Sequence, residues 1–294
     1  MTMQRPFLAA SAHRRIAGAL LLLLLLGWGA LAPRGATAEP ARIVALGGTV
    51  TEIVHALGAG DRLVARDTTS TFPPEARALP DVGYLRRLSP EGVLSVAPDL
   101  ILATDGAGPV ETIDVLRAAE TGFVSVPEGY TPDAIAEKIA VIGAALGRPD
   151  AAEALMAEVA AGFAALGEAP APARRVMFIL SAQGGRLMVA GADTGADGLI
   201  ALAGGTNVFA GLEGYKPVSD EAVIAAAPDL ILLMETGPQH GLDDAALLAL
   251  PALASTPAGR SGAILRMDGL LATGFGPRTP QAVRTLRSAL AGIG

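Results

Sequence analysis

The sequence predicts an α/β fold of two similar lobes with mainly parallel sheets, joined by a long backbone helix, with a ligand cleft between the lobes. Three observations predict this fold: an internal repeat, short apolar strands that alternate with helical segments, and a helical stretch between the two copies of the repeat. The chain has 294 residues, of which 51% are hydrophobic and 17% charged. Its apolar content is ample for packed cores and excludes general disorder.

The internal repeat pairs residues 89–102 with residues 219–232. In both segments a Ser is followed two positions later by Glu, and Ala-Pro-Asp-Leu-Ile-Leu ends the segment in register. Each copy predicts a short helix with the Ser as N-cap and the Glu in its first turn, then a Pro-Asp turn and a buried strand. A solenoid would need several copies, so two copies indicate two similar lobes.

Apolar runs bounded by turn residues predict the strands of both lobes. In the first lobe, residues 39–130, Gly47 follows the first strand and begins a helix that ends at Leu57. The second lobe comprises residues 173–294. Strands that alternate with helical segments indicate a mainly parallel sheet in each lobe. The predicted strands are residues 42–46, 63–65, 100–103, 124–125, 175–180, 230–234 and 263–266.

The connector between the lobes, residues 131–172, is predicted to be helical. Thr131 and Pro132 supply a cap and a first turn, and apolar residues follow at helical spacing. Pro149 interrupts the helix, because proline disfavours the helical conformation of the residue before it. A helical connector holds the lobes at a nearly fixed distance. The recurring apolar residues are Ile135, Ile139, Ile142 and Leu146.

Residues 1–38 are predicted to be a secretory signal peptide. A basic segment that includes Arg14 and Arg15 precedes an unbroken apolar run at 16–32, and small residues follow up to Ala38. We expect cleavage after Ala38 and a soluble mature protein in the periplasm; an uncleaved membrane anchor is the alternative. Cleavage removes four arginines and no acidic residue, which changes the formal charge from −7 to −11.

Composition and missing motifs argue against several functions. The chain contains no cysteine, which excludes disulfides, thiolate metal ligands and cysteine nucleophiles. Its acidic balance argues against a nucleic-acid partner. The sequence has no G-x-S-x-G elbow, no G-x-x-x-x-G-K-[ST] phosphate loop and no H-E-x-x-H pair. We therefore predict no enzymatic activity; a secreted enzyme with Asp67, Asp105 or Glu213 as general base is the remote alternative.

Tyrosine gives the sharpest ligand signal, because the chain contains only Tyr84, Tyr130 and Tyr215. Tyr84 lies in a loop just before the first copy of the repeat, next to Gly83 and two residues before Arg86. Ferric iron and a guanidinium both favour the phenolate over the neutral phenol, and tyrosine is a known axial ligand of haem iron. A loop tyrosine that packs its ring and solvates its hydroxyl is the alternative.

Across essentially the whole mature chain, the sequence resembles the periplasmic haem-binding proteins of bacterial haem-uptake ABC transporters. The resemblance implies a carrier that receives haem downstream of an outer-membrane haem receptor and delivers it to an inner-membrane permease and ATPase complex. We expect a monomer that makes and breaks no bond. The most specific segments are Asp81-Val-Gly-Tyr-Leu-Arg-Arg-Leu-Ser, Val189-Ala-Gly-Ala-Asp-Thr-Gly and Glu213-Gly-Tyr-Lys-Pro.

The resemblance also implies roles for individual residues. Tyr84 matches the axial ligand of the haem iron. Arg86 is expected to hydrogen-bond the phenolate or to contact a haem propionate. Tyr215 and Lys216 match a second-lobe loop that either closes over the porphyrin or only packs.

Two histidines remain after the signal peptide is removed, and neither is a clear ligand. His55 is predicted to pack in the first helix. Some members of the family carry a histidine in the loop at 180–185, where this chain has none. His240, in a polar loop after a predicted strand, is a candidate substitute or a solvated residue. A second protein ligand and a stacked pair of haems therefore stay open.

Two glutamates are candidates for docking to the transporter. In the family, one carboxylate on each lobe pairs with arginines of the permease, and Glu91 and Glu221 occupy equivalent places in the repeat. Stabilisation of the helix macrodipole is the alternative role, and the two roles are compatible. The rival ligands are a ferric siderophore or cobalamin carried by the same fold. A surface haem scavenger without a transporter is a further rival.

Overall fold

Two β-sheets organise the part of the chain that the computed structural model describes, residues 40–169, 171–183, 186–235 and 243–293. The predicted signal peptide and His240 lie outside these residues. Within them, no helix is long and apolar enough to cross a membrane. We call the elements around the first sheet the first lobe and those around the second sheet the second lobe.

The first sheet is parallel throughout, with strand order β2-β1-β3-β4. The central strands β1 and β3 consist almost entirely of buried apolar residues, as expected where helices cover both faces of a sheet. This confirms the predicted parallel sheet. The strands are β1 (Ile43–Leu46), β2 (Leu63–Arg66), β3 (Leu100–Thr104) and β4 (Gly122–Val126), and the helices are α1 (Gly48–Ala56), α2 (Pro90–Leu94) and α3 (Val110–Ala118).

The second sheet is mixed, with order β10-β9-β5-β6-β8 and with β7 beside β5. β10, β9, β5 and β7 are parallel neighbours, whereas β5, β6 and β8 pair antiparallel. Only two residues separate β5 from β6, which forces an antiparallel hairpin because a parallel pair needs a long crossover. The strands are β5 (Arg175–Gln183), β6 (Arg186–Ala190), β7 (Thr206–Asn207), β8 (Tyr215–Val218), β9 (Leu230–Glu235) and β10 (Ile264–Asp268).

Two expectations for loops in the second lobe are corrected by this sheet. The segment that contains Tyr215 and Lys216 is strand β8 rather than a loop. The supposed loop at 180–185 is largely strand, because β5 continues to Gln183. The helices of this lobe are α6 (Gly195–Leu202), α7 (Asp220–Ala226), α8 (Asp244–Leu248), α9 (Pro251–Ala254), α10 (Pro257–Ser261), α11 (Gly269–Thr273) and α12 (Thr279–Ala291).

The repeated segments fold as the sequence predicts. Ser89 Oγ accepts a hydrogen bond from the backbone N–H of Gly92 at 3.1 Å, and Ser219 Oγ accepts one from Ala222 at 3.3 Å. Each serine thus satisfies a backbone donor at a helix N-terminus, of α2 in one lobe and α7 in the other. A buried strand, β3 or β9, follows each helix.

The connector consists of two helices that pack against each other, α4 (Pro132–Ala145) and α5 (Pro149–Ala164). Thr131 caps α4, since its Oγ1 accepts a hydrogen bond from Ala134 N at 3.2 Å. The chain reverses at Gly147, whose φ of 68° is a conformation that glycine adopts without steric cost. The predicted interruption is therefore a turn between two helices. The four recurring apolar residues are all fully buried.

One hydrophobic core continues from the first sheet through the connector to the second sheet. It includes Ile43 of β1, Ile139 of α4 and Phe178 of β5, each 0% exposed. A shared core of this kind opposes large rearrangement of one lobe against the other.

Candidate ligand-binding cleft

A cleft of about 980 Å³ lies between the lobes, at the carboxyl ends of the parallel strands. Loops that follow parallel strands meet at one edge of a sheet, which is where open α/β folds bind ligands. In both lobes, most of the residues that line the cleft follow the parallel strands or form their last residues. Representatives are Gly47 and Gly48 after β1, Thr68 after β2, Thr104 of β3, Glu128 after β4, Glu235 of β9 and Asp268 of β10.

The two walls of the cleft differ in chemistry. The first-lobe wall is rich in hydroxyl and guanidinium groups, whereas the second-lobe wall combines apolar side chains with the carboxylates of Glu235 and Asp268. A ligand with an extended apolar surface and anionic groups on one side suits this asymmetry. The polar groups of the first-lobe wall include Thr68, Thr69, Thr71, Arg66, Arg77 and Arg86, and the apolar part of the second-lobe wall includes Leu180, Tyr215, Met234 and Leu270.

The loop of Tyr84 is held in place by its own backbone. Gly83 has φ of 105°, a conformation available to glycine but strained for other residues. Its N–H donates to Asp81 Oδ1 at 2.8 Å, and its carbonyl accepts from Thr68 N at 3.0 Å. Tyr84 O accepts from Arg87 N at 2.7 Å. These contacts present the Tyr84 side chain to the cleft, where 44% of its surface is exposed.

An ion pair anchors the same loop to strand β2. Arg66 Nη1 lies 3.0 Å from Asp81 Oδ2, and the backbones of the two residues form a parallel bridge. Arg66 also donates to the carbonyls of Ala76 and Asp67, at 3.3 and 2.9 Å. Its guanidinium is therefore committed to holding the loop, although it lines the cleft.

All three tyrosines of the chain line the cleft, in different electrostatic settings. Burial, followed by the negative charge of Glu128, raises the pKa of Tyr130 to about 12. Burial also raises the pKa of Tyr215. The positive charge of Arg86 opposes the rise in pKa of both tyrosines but does not reverse it. Tyr130 and Tyr215 therefore keep their protons at neutral pH. Tyr84 is the most exposed of the three side chains.

Lys216 does not line this cleft. Neighbouring residues of a strand point to opposite faces of the sheet, so Lys216 is exposed while Tyr215 lines the cleft and packs near Phe178. His240 lies outside the described residues. Arg86 is placed as the sequence predicts, beside Tyr84 in the lining.

The carboxylates proposed for a secreted enzyme are not brought together. Asp67 is fully buried, and its two oxygens accept from Gly47 N, Thr69 N and the hydroxyls of Thr69 and Ser70, at 2.7–2.9 Å. Its role is to fix the loops after β1 and β2. Asp105 Oδ1 accepts a hydrogen bond from the hydroxyl of Ser125, and Glu213 is exposed. None of the three carboxylates lines the cleft.

Lys138 of α4 lines the cleft, and the sequence interpretation did not single it out. Its side chain is nearly inaccessible, and Nζ donates to the carbonyls of Gly129 at 3.0 Å and Phe275 at 3.2 Å. A sequence signal existed, because position 138 falls on the buried stripe that contains Ile135 and Ile142.

The two docking candidates occupy equivalent exposed positions in the first turns of α2 and α7. Hydrogen bonds from its own backbone N–H and from the Ser219 hydroxyl lower the pKa of Glu221. Its carboxylate is therefore charged at neutral pH. Glu91 has the same place relative to its own serine cap, Ser89.

Comparison with known proteins places the fold among binding proteins of transport systems. The periplasmic haem-binding protein RhuT from Roseiflexus sp. RS-1, in its apo form, is 41% identical, with a TM-score of 0.80 over 84% of this chain and 97% of that chain. The periplasmic haem-binding protein BhuT, in complex with two haems, is 39% identical, with a TM-score of 0.81 over 85% and 97%. A vitamin B12-binding protein of Photorhabdus laumondii is 29% identical over 198 residues, 67% of this chain and 71% of that protein.

A family model extends the comparison to the whole architecture. The model for periplasmic binding proteins matches residues 43–270, from the first residue of β1 to a point beyond β10. The match contains both sheets, the connector and the loop of Tyr84, so the chain belongs to the periplasmic binding protein family.

Proposed function

We propose that the protein carries haem in the periplasm and delivers it to an inner-membrane ABC importer. The observation that carries the proposal is Tyr84, a half-exposed phenol on an anchored loop in the cleft between the lobes. The likeness to RhuT and BhuT, both haem-binding by name, supports it. Carriage needs no covalent step, and substrate-binding proteins of this class work with a permease and an ATPase.

The two walls suit the two sides of a haem. The Tyr84 phenolate supplies a hard anionic oxygen to ferric iron, and the nearby Arg86 guanidinium stabilises that negative charge or binds a propionate. The aliphatic side chains of Leu180, Met234 and Leu270 provide apolar surface for the porphyrin. The arginines of the first-lobe wall offset the repulsion between an acidic protein and an anionic ligand.

An absorbance titration of the mature protein with ferric haem tests the proposal. We expect a saturable Soret shift and a charge-transfer band typical of phenolate-ligated ferric iron, with an inflection that gives the number of haems. Tyr84→Phe removes that band, whereas Tyr130→Phe, which removes a hydroxyl from the same cleft, leaves it in place. The absence of saturable binding by the wild-type protein would overturn the proposed ligand.

Cobalamin is the second candidate ligand, and the identity to a vitamin B12-binding protein favours it. A corrinoid does not need Tyr84 as an iron ligand. Titration of the same preparations with cyanocobalamin separates the two ligands. Tight cyanocobalamin binding that Tyr84→Phe leaves unchanged, together with weak haem binding, would replace haem by cobalamin and leave the transport role intact.

We infer that Glu91 and Glu221 are the contacts with the permease. Each is exposed on a different lobe at the start of a short helix, so the two carboxylates present one charged point per lobe to a partner. Complementary charge steers association and fixes its register.

Export of the chain is also part of the proposal. The predicted signal peptide ends at Ala38, so the mature protein begins at Glu39. Mass spectrometry of the protein recovered from the periplasm measures this boundary directly, and a mass that retains residues 1–38 would indicate an uncleaved anchor.

A further inference from the structure

Lys138 is a buried cation without an acidic partner in the ligand cleft. Only 4% of its surface is exposed, yet it lines the cleft. None of the ion pairs among the described residues includes it. Its ammonium has three donors, and the structure gives it two acceptors, the carbonyls of Gly129 and Phe275. One donor therefore has no acceptor among these contacts, and no carboxylate forms an ion pair with the ammonium.

Burial makes the charged form of Lys138 unfavourable in free energy. Loss of hydration lowers the pKa of Lys138 to about 8, and the negative charge of Glu128 opposes that shift only in part. Tyr130, which also lines the cleft, stays neutral, and the charges of the Glu52–Arg278 ion pair offset each other. The acidic residues of α5, which packs against α4, are exposed. A buried charge of this kind is normally paired or neutralised.

We propose that Lys138 binds a carboxylate of the ligand in the cleft. This assignment rests on the proposed function, in which the carboxylate is a haem propionate. A carboxylate gives the ammonium its missing counter-charge and an acceptor for its remaining donor, and charge-assisted hydrogen bonds are the strong ones. Among the other cations that line the cleft, Arg66 is already committed to Asp81, and Arg86 is exposed to solvent, unlike Lys138. Lys138 therefore selects ligands that carry a carboxylate.

A pH dependence follows from the same geometry. The bound carboxylate favours the ammonium, so the pKa of Lys138 is higher in the complex than in the free protein. Below about pH 8 the lysine is charged in both states, and its contribution to affinity is complete. Above that pH the free protein must take up a proton to bind, so the contribution falls as the pH rises.

The test compares the affinities of Lys138→Met and Lys138→Gln with that of the wild-type protein between pH 7 and pH 9.5. The Gln variant keeps hydrogen-bond donors for the two carbonyls but has no charge, which separates the charge from the structural contact. Lys216→Met is the matched control, because Lys216 is the other lysine of the chain and lies exposed outside the cleft. Each variant is titrated with ferric haem and with its dimethyl ester, which has no carboxylate.

At pH 7 we expect both Lys138 variants to lose about tenfold or more in haem affinity, and to lose far less for the dimethyl ester. The ratio of wild-type to variant affinity falls as the pH rises above 8, and Lys216→Met follows the wild-type profile. The assignment would be overturned if the Lys138 variants lost no haem affinity, or lost as much affinity for the dimethyl ester as for haem. It would also be overturned if the ratio of wild-type to variant haem affinity did not change with pH. If the wild-type protein binds no haem, the proposed function fails, and the assignment fails with it.

Discussion

The carboxylate of Glu52 and the guanidinium of Arg278 form an ion pair that joins the two lobes beside the cleft. Arg278 Nη2 lies 2.9 Å from Glu52 Oε2, and Arg278 N donates to Oε1 at 3.2 Å. Glu52 belongs to α1 of the first lobe, and Arg278 directly precedes α12 of the second. The guanidinium also stacks on Phe72, 3.5 Å from the ring centroid. These contacts hold α1 and the start of α12 together, and the hydrophobic core that the two lobes share acts in the same direction.

Loss of Arg278 is expected to destabilise the fold. Arg278→Met leaves the Glu52 carboxylate buried and unpaired, which costs about 3 kcal/mol in the free energy of unfolding. Urea unfolding measures this cost. Arg284→Met removes an exposed arginine from α12 and should change the stability by less than about 0.5 kcal/mol. The double variant Glu52→Gln plus Arg278→Met should lose less than the two single variants together. If Arg278→Met lost as little stability as Arg284→Met, the result would contradict a stabilising buried ion pair between Glu52 and Arg278.

Arg86 is expected to contribute less to haem affinity than Tyr84. Because Arg86 is exposed, Arg86→Ala should weaken binding by about two- to fivefold, well short of the loss in Tyr84→Phe. Arg87→Ala is the matched control, since Arg87 is exposed but does not line the cleft. Absorbance titration gives the three affinities. Equal losses in Tyr84→Phe and Arg86→Ala would argue against Tyr84 as the iron ligand.

The sequence predicted the features that depend on neighbouring residues. Ser89 and Ser219 cap their helices because the required N–H groups lie three residues along the chain. The position of Tyr84 in a loop beside Gly83 was likewise visible in the sequence, but the ion pair between Arg66 and Asp81 that anchors this loop was not. Lys138 was missed because its acceptors, Gly129 and Phe275, lie 9 and 137 positions away and meet it only in the folded protein.

The second sheet likewise shows which strands could be predicted from the sequence and which could not. β9 was predicted because a buried parallel strand is a continuous apolar run, whereas β10 was predicted from the short apolar run at 263–265 and is only partly buried at the edge of the sheet. β8, with the sequence Tyr-Lys-Pro-Val, has no such run, and it forms a strand because it pairs with β6 at the edge of the sheet. Its register directs Tyr215 and Lys216 to opposite faces, which a motif match alone does not show.

Lys138 should make the stability of the ligand-free protein depend on pH. Its pKa is about 8 in the folded protein, against 10.5 for an unperturbed lysine, so the unfolded chain binds more protons between these pH values. The free energy of unfolding should therefore rise between pH 8 and pH 10, by up to about 1 kcal/mol per pH unit. The raised pKa of Tyr130 acts in the opposite direction, but only above about pH 10.

Urea unfolding at pH 7.5, 8.5 and 9.5 measures this dependence. Lys138→Met should abolish the rise and should be more stable than the wild type at pH 7.5, because it removes a poorly solvated charge. Lys216→Met removes an exposed charge and should retain the rise. The same slope in all three proteins would show that Lys138 is not the group responsible.

Reversal of charge at the two docking glutamates should abolish delivery while leaving ligand binding intact. Glu91→Arg plus Glu221→Arg places cations where permease arginines are expected, and like charges across an interface cost several kcal/mol, or about a hundredfold in affinity. Binding to the purified permease and ATPase complex measures the effect. Haem affinity should not change, because neither glutamate lines the cleft.

Glu153→Arg plus Glu158→Arg is the control for total charge. Both residues are exposed on α5, and the exchange changes the net charge of the protein by the same amount. A loss of docking confined to the Glu91 and Glu221 pair would locate the interface on α2 and α7. Equal losses in both double variants would reduce the effect to long-range repulsion, which raised salt would remove. A wild-type protein that binds haem but never the transporter would instead indicate a scavenger.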